Sequence, residues 1–128
     1  MTENRIRVSQ QQVATAYSYP LTPTLISATT EGAAETLAEV REGSNGLLKR
    51  LAVVNQTGSA VALTVNFIPS GGTIGAGNRE IAGYSVGANA HVDLTDIVGG
   101  FYPEGTTIKA FAGSADALLV TGYIEGQL

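Results

Sequence analysis

Hydrophobic positions recur at every second residue through much of this chain, most clearly at its centre. Val61, Leu63, Val65 and Phe67 fall on one parity, with Ala62, Thr64 and Asn66 on the other. Side chains of a strand point alternately to its two faces, so this pattern predicts a half-buried β-strand. The preceding run, Leu47–Val54, reads as a second strand. Asn55-Gln56-Thr57-Gly58-Ser59 lies between them, and two such runs across a glycine-containing loop predict a β-hairpin. Pro69-Ser70-Gly71-Gly72 then stops the second strand, because proline cannot donate to a ladder.

The pattern extends outwards. Thr24–Ala28 is rich in β-formers, Glu35–Val40 suits a strand or a helical turn, and Gly43-Ser44-Asn45-Gly46 is a break. Ile81–Val86 predicts a strand, followed by a turn at Gly87-Ala88-Asn89. Ala90–Leu94 alternates, with His91 and Asp93 opposite Val92 and Leu94. Thr95–Val98 predicts one helical turn, capped by the Asp93 or Thr95 oxygen and ended at Gly99-Gly100. Pro103-Glu104-Gly105 is a turn, and Thr106–Ala112 with Ala117–Glu125 predicts a final hairpin around Gly113-Ser114-Ala115-Asp116.

About eight or nine short strands, with turn signals roughly every ten residues and no long helical pattern, predict an all-β fold. The expected architecture is a single antiparallel β-sandwich, jelly-roll-like, over residues 21–128. Residues 1–20 read as an extended N-terminal arm. They are polar around Gln10-Gln11-Gln12, have a short strand candidate at Ile6-Arg7-Val8, and end in Tyr17-Ser18-Tyr19-Pro20. Tyr17, Tyr19 and Pro20 are the candidate assembly or docking contacts, anchoring the arm on a neighbouring subunit.

Composition narrows the function. Charged residues make up 14% of the chain, below the usual quarter, which leaves neutral surface for contact with a neighbour. The net charge is −4 and the nearest approach to a basic run is Lys49-Arg50, so no nucleic-acid partner is expected. No segment approaches the ~20 apolar residues of a membrane span, so no membrane partner is expected either. The absence of cysteine excludes disulfides and thiolate metal sites.

Tests for chemistry find little. The glycine-rich loop Ser70–Arg79 follows a strand but has Glu80 where a dinucleotide fingerprint needs glycine, and no glycine-lysine pair for a phosphate loop. His91 shares a strand face with Asp93, but no nucleophile motif accompanies them. Asp93, Asp96 and Glu104 cluster in sequence without calcium-loop spacing, and suit capping and turn hydrogen bonds better. Tyr84, Tyr102 and Tyr123 suit sugar stacking or core packing. The chain is read as non-enzymatic, with no catalytic, cofactor-binding or metal residues.

The run GLLKRLAVVNQTGSAVALTVNFIPSGGT combines a strand ending in Val53-Val54-Asn55, a turn at Thr57-Gly58-Ser59 and a stop at Pro69-Ser70-Gly71-Gly72. Val92-Asp93-Leu94, the turn Pro103-Glu104-Gly105-Thr106 and the terminal pair of strands follow. Over about residues 46–125 this resembles the small β-sandwich structural proteins of tailed bacteriophage particles: head decoration, head fibre, neck and tail-associated proteins. The resemblance implies a virion component made in the bacterial host cytoplasm, foremost a capsid decoration or head-associated protein. Such a protein would assemble as a symmetric oligomer, a homotrimer favoured, and bind other virion proteins such as the major capsid protein. The competing expectation is a receptor- or carbohydrate-binding module of a phage fibre or tail, with a tyrosine-lined groove.

Overall fold

The alternation at the centre of the chain has its expected consequence: Val61, Leu63, Val65 and Phe67 are all buried. They belong to one of two antiparallel sheets in the computed structural model, which describes residues 16–21, 23–41, 45–98 and 100–127. The strands are β1 (Ala16–Pro20), β2 (Thr24–Leu25), β3 (Glu35–Glu39), β4 (Asn45–Asn55), β5 (Val61–Ile68) and β6 (Arg79–Val86). They continue with β7 (His91–Asp93), the helical turn α1 (Thr95–Val98), β8 (Phe101–Tyr102), β9 (Thr107–Ala112) and β10 (Leu118–Gln127). Short 3-10 turns lie at Glu31–Ala33 and Ala76–Asn78.

A four-stranded sheet has the order β3-β9-β5-β6, and a six-stranded sheet the order β1-β10-β4-β7, with β2 also on β10 and β8 also on β4. Along the chain, β1 and β2 therefore pair with β10, β3 with β9, β4 with β7 and β8, and β5 with β6. This nesting, folded over into two layers, is the jelly-roll form of the β-sandwich. Leu48, Leu51, Val53, Leu118, Val120 and Ile124 from the larger sheet meet Leu63, Val65, Ile108 and Ala110 from the smaller in one core.

Neither predicted hairpin forms. β4 and β5 lie in different sheets, as do β9 and β10. Each short loop is an arch that carries the chain across the core, because a hairpin and an arch present the same alternation on either side of the same turn residues. The arches are braced together: Gly113 N donates to Ala62 O at 2.8 Å, Gln56 N to Ala117 O at 2.9 Å, and Asn89 N to Thr57 O at 2.9 Å. The local hairpin is instead β5–β6, closed by the glycine-rich loop. Asn45-Gly46 is not a break either but the start of β4. A Cβ on Gly46 would lie 3.0 Å from Ile124 Cγ2 and 3.1 Å from the Val40 methyls, so glycine there serves close packing.

Bulges break the alternation at defined places. In β4, Leu48 and Leu51 are both buried while Lys49 and Arg50 are both exposed. The register jumps from Tyr123↔Arg50 to Ile124↔Leu48, leaving Lys49 as the extra residue. In β6, Ala82 and Gly83 together oppose Thr64, and Gly83 takes φ 64°, which favours glycine. The Gly83 N–H donates to Thr64 Oγ1 at 3.0 Å. Opposite the bulge of β4, the outer edge is filled by α1, where Thr95 Oγ1 accepts from Leu51 N at 3.0 Å.

Candidate interaction face

The residues singled out for chemistry are dispersed by the fold. His91 and Asp93 project from β7 on the outer face of the six-stranded sheet, opposite Val54 and Ala52. Asp93 caps α1: its Oδ1 accepts from Thr95 N at 2.9 Å and from Thr95 Oγ1 at 2.6 Å, as the sequence suggested. These bonds, the hydroxyl's foremost, lower its pKa. Among the described residues no three histidine or acidic side chains are grouped to hold a metal.

The glycine-rich loop folds onto its own sheet. Asn66, fully buried in β5, donates through Nδ2 to Gly75 O at 3.2 Å, Asn78 Oδ1 at 3.0 Å and Glu31 Oε2 at 3.1 Å. Those three acceptors set the orientation of its amide, and its Oδ1 is buried without a protein partner. Glu31 in turn accepts from Arg79 Nε at 2.7 Å and Nη2 at 2.8 Å. Gly75 N and Asn78 Oδ1 close the loop at 3.2 Å. This cluster is a brace between the β2–β3 connection, β5 and the loop.

The carboxylates of the fold give its stability a pH dependence. Arg79 and then Asn66 hold the Glu31 pKa down. For Glu35 the main cause is the Ser27 hydroxyl; its Oε2 accepts from Ser27 N at 2.6 Å, Ser27 Oγ at 2.7 Å and Ala28 N at 2.8 Å. A carboxyl with a depressed folded pKa stabilises the native state above its unfolded pKa. That contribution is lost as pH falls through the folded value. The melting temperature is therefore expected to be level near neutrality and to fall below about pH 4.5. Glu35→Gln should flatten part of that fall in a thermal denaturation series; an unchanged slope would show that these bonds do not stabilise the folded state. Salt should weaken the contribution of the exposed Glu31–Arg79 pair.

The three tyrosines do not line a common groove. Tyr102 stacks on Phe67 with ring centroids 4.5 Å apart, and burial, with Glu80 second, pushes its hydroxyl up to about 12. Tyr84 packs against the same core, while Tyr123 stands outside, 40% exposed. A polar cleft of about 490 Å³ lies at the end of the sandwich away from the arches, lined by Glu39, Val40, Arg41, Ser70, Glu104 and Gly105. The chain's one histidine, His91, is in β7 and not among these lining residues.

Tyr17, Tyr19 and Pro20 lie in β1, in register with Gly126, Ile124 and Tyr123 of the chain's own β10. The backbone of residues 16–20 thus forms an edge of this sheet, and Leu21 N continues the contact to Gly122 O at 3.0 Å. Pro20 is exposed. The environments of the Tyr17 and Tyr19 side chains, the strand candidate at Ile6-Arg7-Val8 and the rest of residues 1–15 lie outside the described residues.

The surface that sequence reasoning missed is the outer face of the six-stranded sheet. Directly opposed residues share a face, so the register defines its rows. Leu25, Leu119, Val54 and His91 form one; Thr121, Ala52 and Asp93 the next. Pro20, Tyr123 and Arg50 form a third, and Glu125, Leu47 and Phe101 a fourth. Leu25 is 41%, Phe101 62% and Tyr123 40% exposed, and Ile97 on α1 adds 51% at the rim. The outer face of the smaller sheet carries Lys109 and the buried Thr64 and Asn66, with Phe111 opposite Thr64 and Ile68 opposite Thr107. The exposed apolar residues of the six-stranded sheet stand in three different rows and at the rim, with half-buried Leu119, Val54 and Leu47 and the polar Thr121, Asp93, Arg50 and Glu125 between them. The signal in sequence was the parity of Leu119 and Tyr123 against buried Leu118, Val120 and Ile124. No protein-family model matches this chain, and no curated protein matches it.

Proposed function

We propose that this chain is a non-enzymatic structural protein of a tailed-phage particle. It acts as a capsid decoration or head-associated protein that forms a symmetric oligomer and stabilises or extends the shell. The observation that carries the reading is the outer face of the six-stranded sheet, where Leu25, Phe101 and Tyr123 stand exposed among Leu119, Val54 and Leu47. A rigid sandwich with such a face fits a role of contact rather than turnover. Many copies on a symmetric shell gain from multivalency, so modest individual contacts suffice. The jelly roll is used by capsid proteins and lectins alike, so the fold by itself does not choose between them.

The test is co-sedimentation with undecorated phage capsids. The wild-type chain should pellet with them, and Phe101→Glu should weaken pelleting at least tenfold while its melting temperature stays close to that of the wild type. Phe101→Glu binding as well as the wild type would remove this face from the reading. Phe101 and Tyr123 also favour a second reading, a carbohydrate- or receptor-binding module, because exposed aromatic faces stack on sugars. Saturable binding on a glycan array, lost in Tyr123→Ala and unaccompanied by capsid binding, would select it.

A further inference from the structure

The outer face of the six-stranded sheet is suited to a copy of itself. Its charges balance, Lys49 and Arg50 against Asp93 and Glu125, on a chain of net charge −4. Two copies that repel one another elsewhere therefore meet here without net like-charge opposition. Association by strand addition is discouraged at the edges of the smaller sheet. β6 carries two register breaks and β3 one, and bulged edges present a poor template.

The register supplies the geometry. On the two central strands Leu119 lies opposite Val54, Thr121 opposite Ala52 and Tyr123 opposite Arg50. We propose that a second copy of this chain packs face to face on this surface, about a two-fold axis running along the sheet midway between β4 and β10. Such an axis lays β10 of each copy over β4 of the other. Leu119 then covers Val54 of the second copy, an apolar contact, and Tyr123 covers Arg50 of the second copy, a guanidinium on an aromatic ring. Both contacts occur twice, as a two-fold requires. The four rows from Leu119 to Glu125, three or four residues wide, give each face at most roughly 500 Å², so the pair buries up to about 1,000 Å². That is about the size a specific interface must reach. The inference rests on reading this face as an assembly surface: a second copy covers it, so Phe101→Glu would weaken capsid pelleting through lost bivalency, and the contact puts a two-fold unit where the phage resemblance implies a trimer.

Two measurements on the full chain test it. Light scattering after size exclusion should give twice 13.1 kDa for the wild type and a single chain for Tyr123→Glu and Leu119→Glu, with circular dichroism showing both variants folded. The chain has no cysteine, so a single one reports position cleanly. A short bismaleimide should cross-link Thr121→Cys into dimers and leave Ala62→Cys, exposed on the opposite sheet, as monomers. Dimers cross-linked through Thr121→Cys support the two-fold contact even if capsids are not bound, an outcome that would sink only the particle reading. A trimer, or a monomer that still binds capsids, overturns the two-fold contact and leaves the particle reading standing. Equal cross-linking of both cysteine variants also overturns it.

Discussion

Gly122→Ala is expected to destabilise the fold by about 3 kcal/mol or more, measured by chemical denaturation. Gly122 lies in β10 opposite Leu51 of β4, at the centre of the six-stranded sheet. A Cβ there would overlap the Arg50 carbonyl oxygen and lie 3.0 Å from its carbon and 3.2 Å from Leu51 Cα. All three obstacles are backbone, so no side-chain rotation relieves the overlap. Relief requires the two central strands to separate beside the bulge at Lys49, which breaks the central ladder of the six-stranded sheet. Gly32→Ala is the control: a Cβ there meets nothing within 4 Å, and the change should stay within about 0.5 kcal/mol. A Gly122→Ala protein with near wild-type stability would mean that β4 and β10 are not held this closely.

Asn55→Ala is expected to cost about 2–4 kcal/mol. Asn55 is 1% exposed at the point where β4 leaves its sheet. Its Nδ2 donates to Ser59 O at 2.8 Å and Val86 O at 3.0 Å, while Oδ1 accepts from Thr57 N at 2.9 Å and Thr57 Oγ1 at 2.8 Å. One amide thus satisfies polar groups from its own arch and from the end of β6. Alanine removes the amide donor from the buried Val86 carbonyl and the acceptor from the Thr57 N–H, and that desolvation accounts for the cost. Asn55→Asp separates this from simple loss of volume. Its carboxylate would face two carbonyl oxygens, which raises its pKa in the folded state. The variant should therefore gain stability relative to the wild type as pH falls, because protonation relieves the repulsion. A cost below about 1 kcal/mol for Asn55→Ala would show that the arches are held by packing alone.

The existence of most strands was legible in the chain because period two is a local property. Val61 to Phe67 needs no distant partner to declare which parity is apolar, and the fit of Thr95 to a helical turn depends only on Asp93 two residues earlier. The candidate site was much less legible. Tyr102 and Phe101 are neighbours in sequence, yet one stacks in the core on Phe67 and the other stands 62% exposed. Alternation puts them on opposite faces, and only the register against Gly46 and Leu47 of β4 decides which of them faces the core. Likewise Leu119 and Leu118 are equally apolar, and the partner strands decide which of them the core receives.

The order of residues was enough to give an all-β chain, the positions of most strands and turns, and no recognisable cofactor or nucleophile motif. These follow from alternation, turn chemistry and residue type, all of which act within a few residues. It took the packed sheets to make the two short loops arches and not hairpins, Lys49 a bulge, and Leu25, Phe101 and Tyr123 outward residues of one sheet. Each depends on which strands pair across dozens of residues. The free energy of that choice is set by burying one side of every strand at once, which no local window contains.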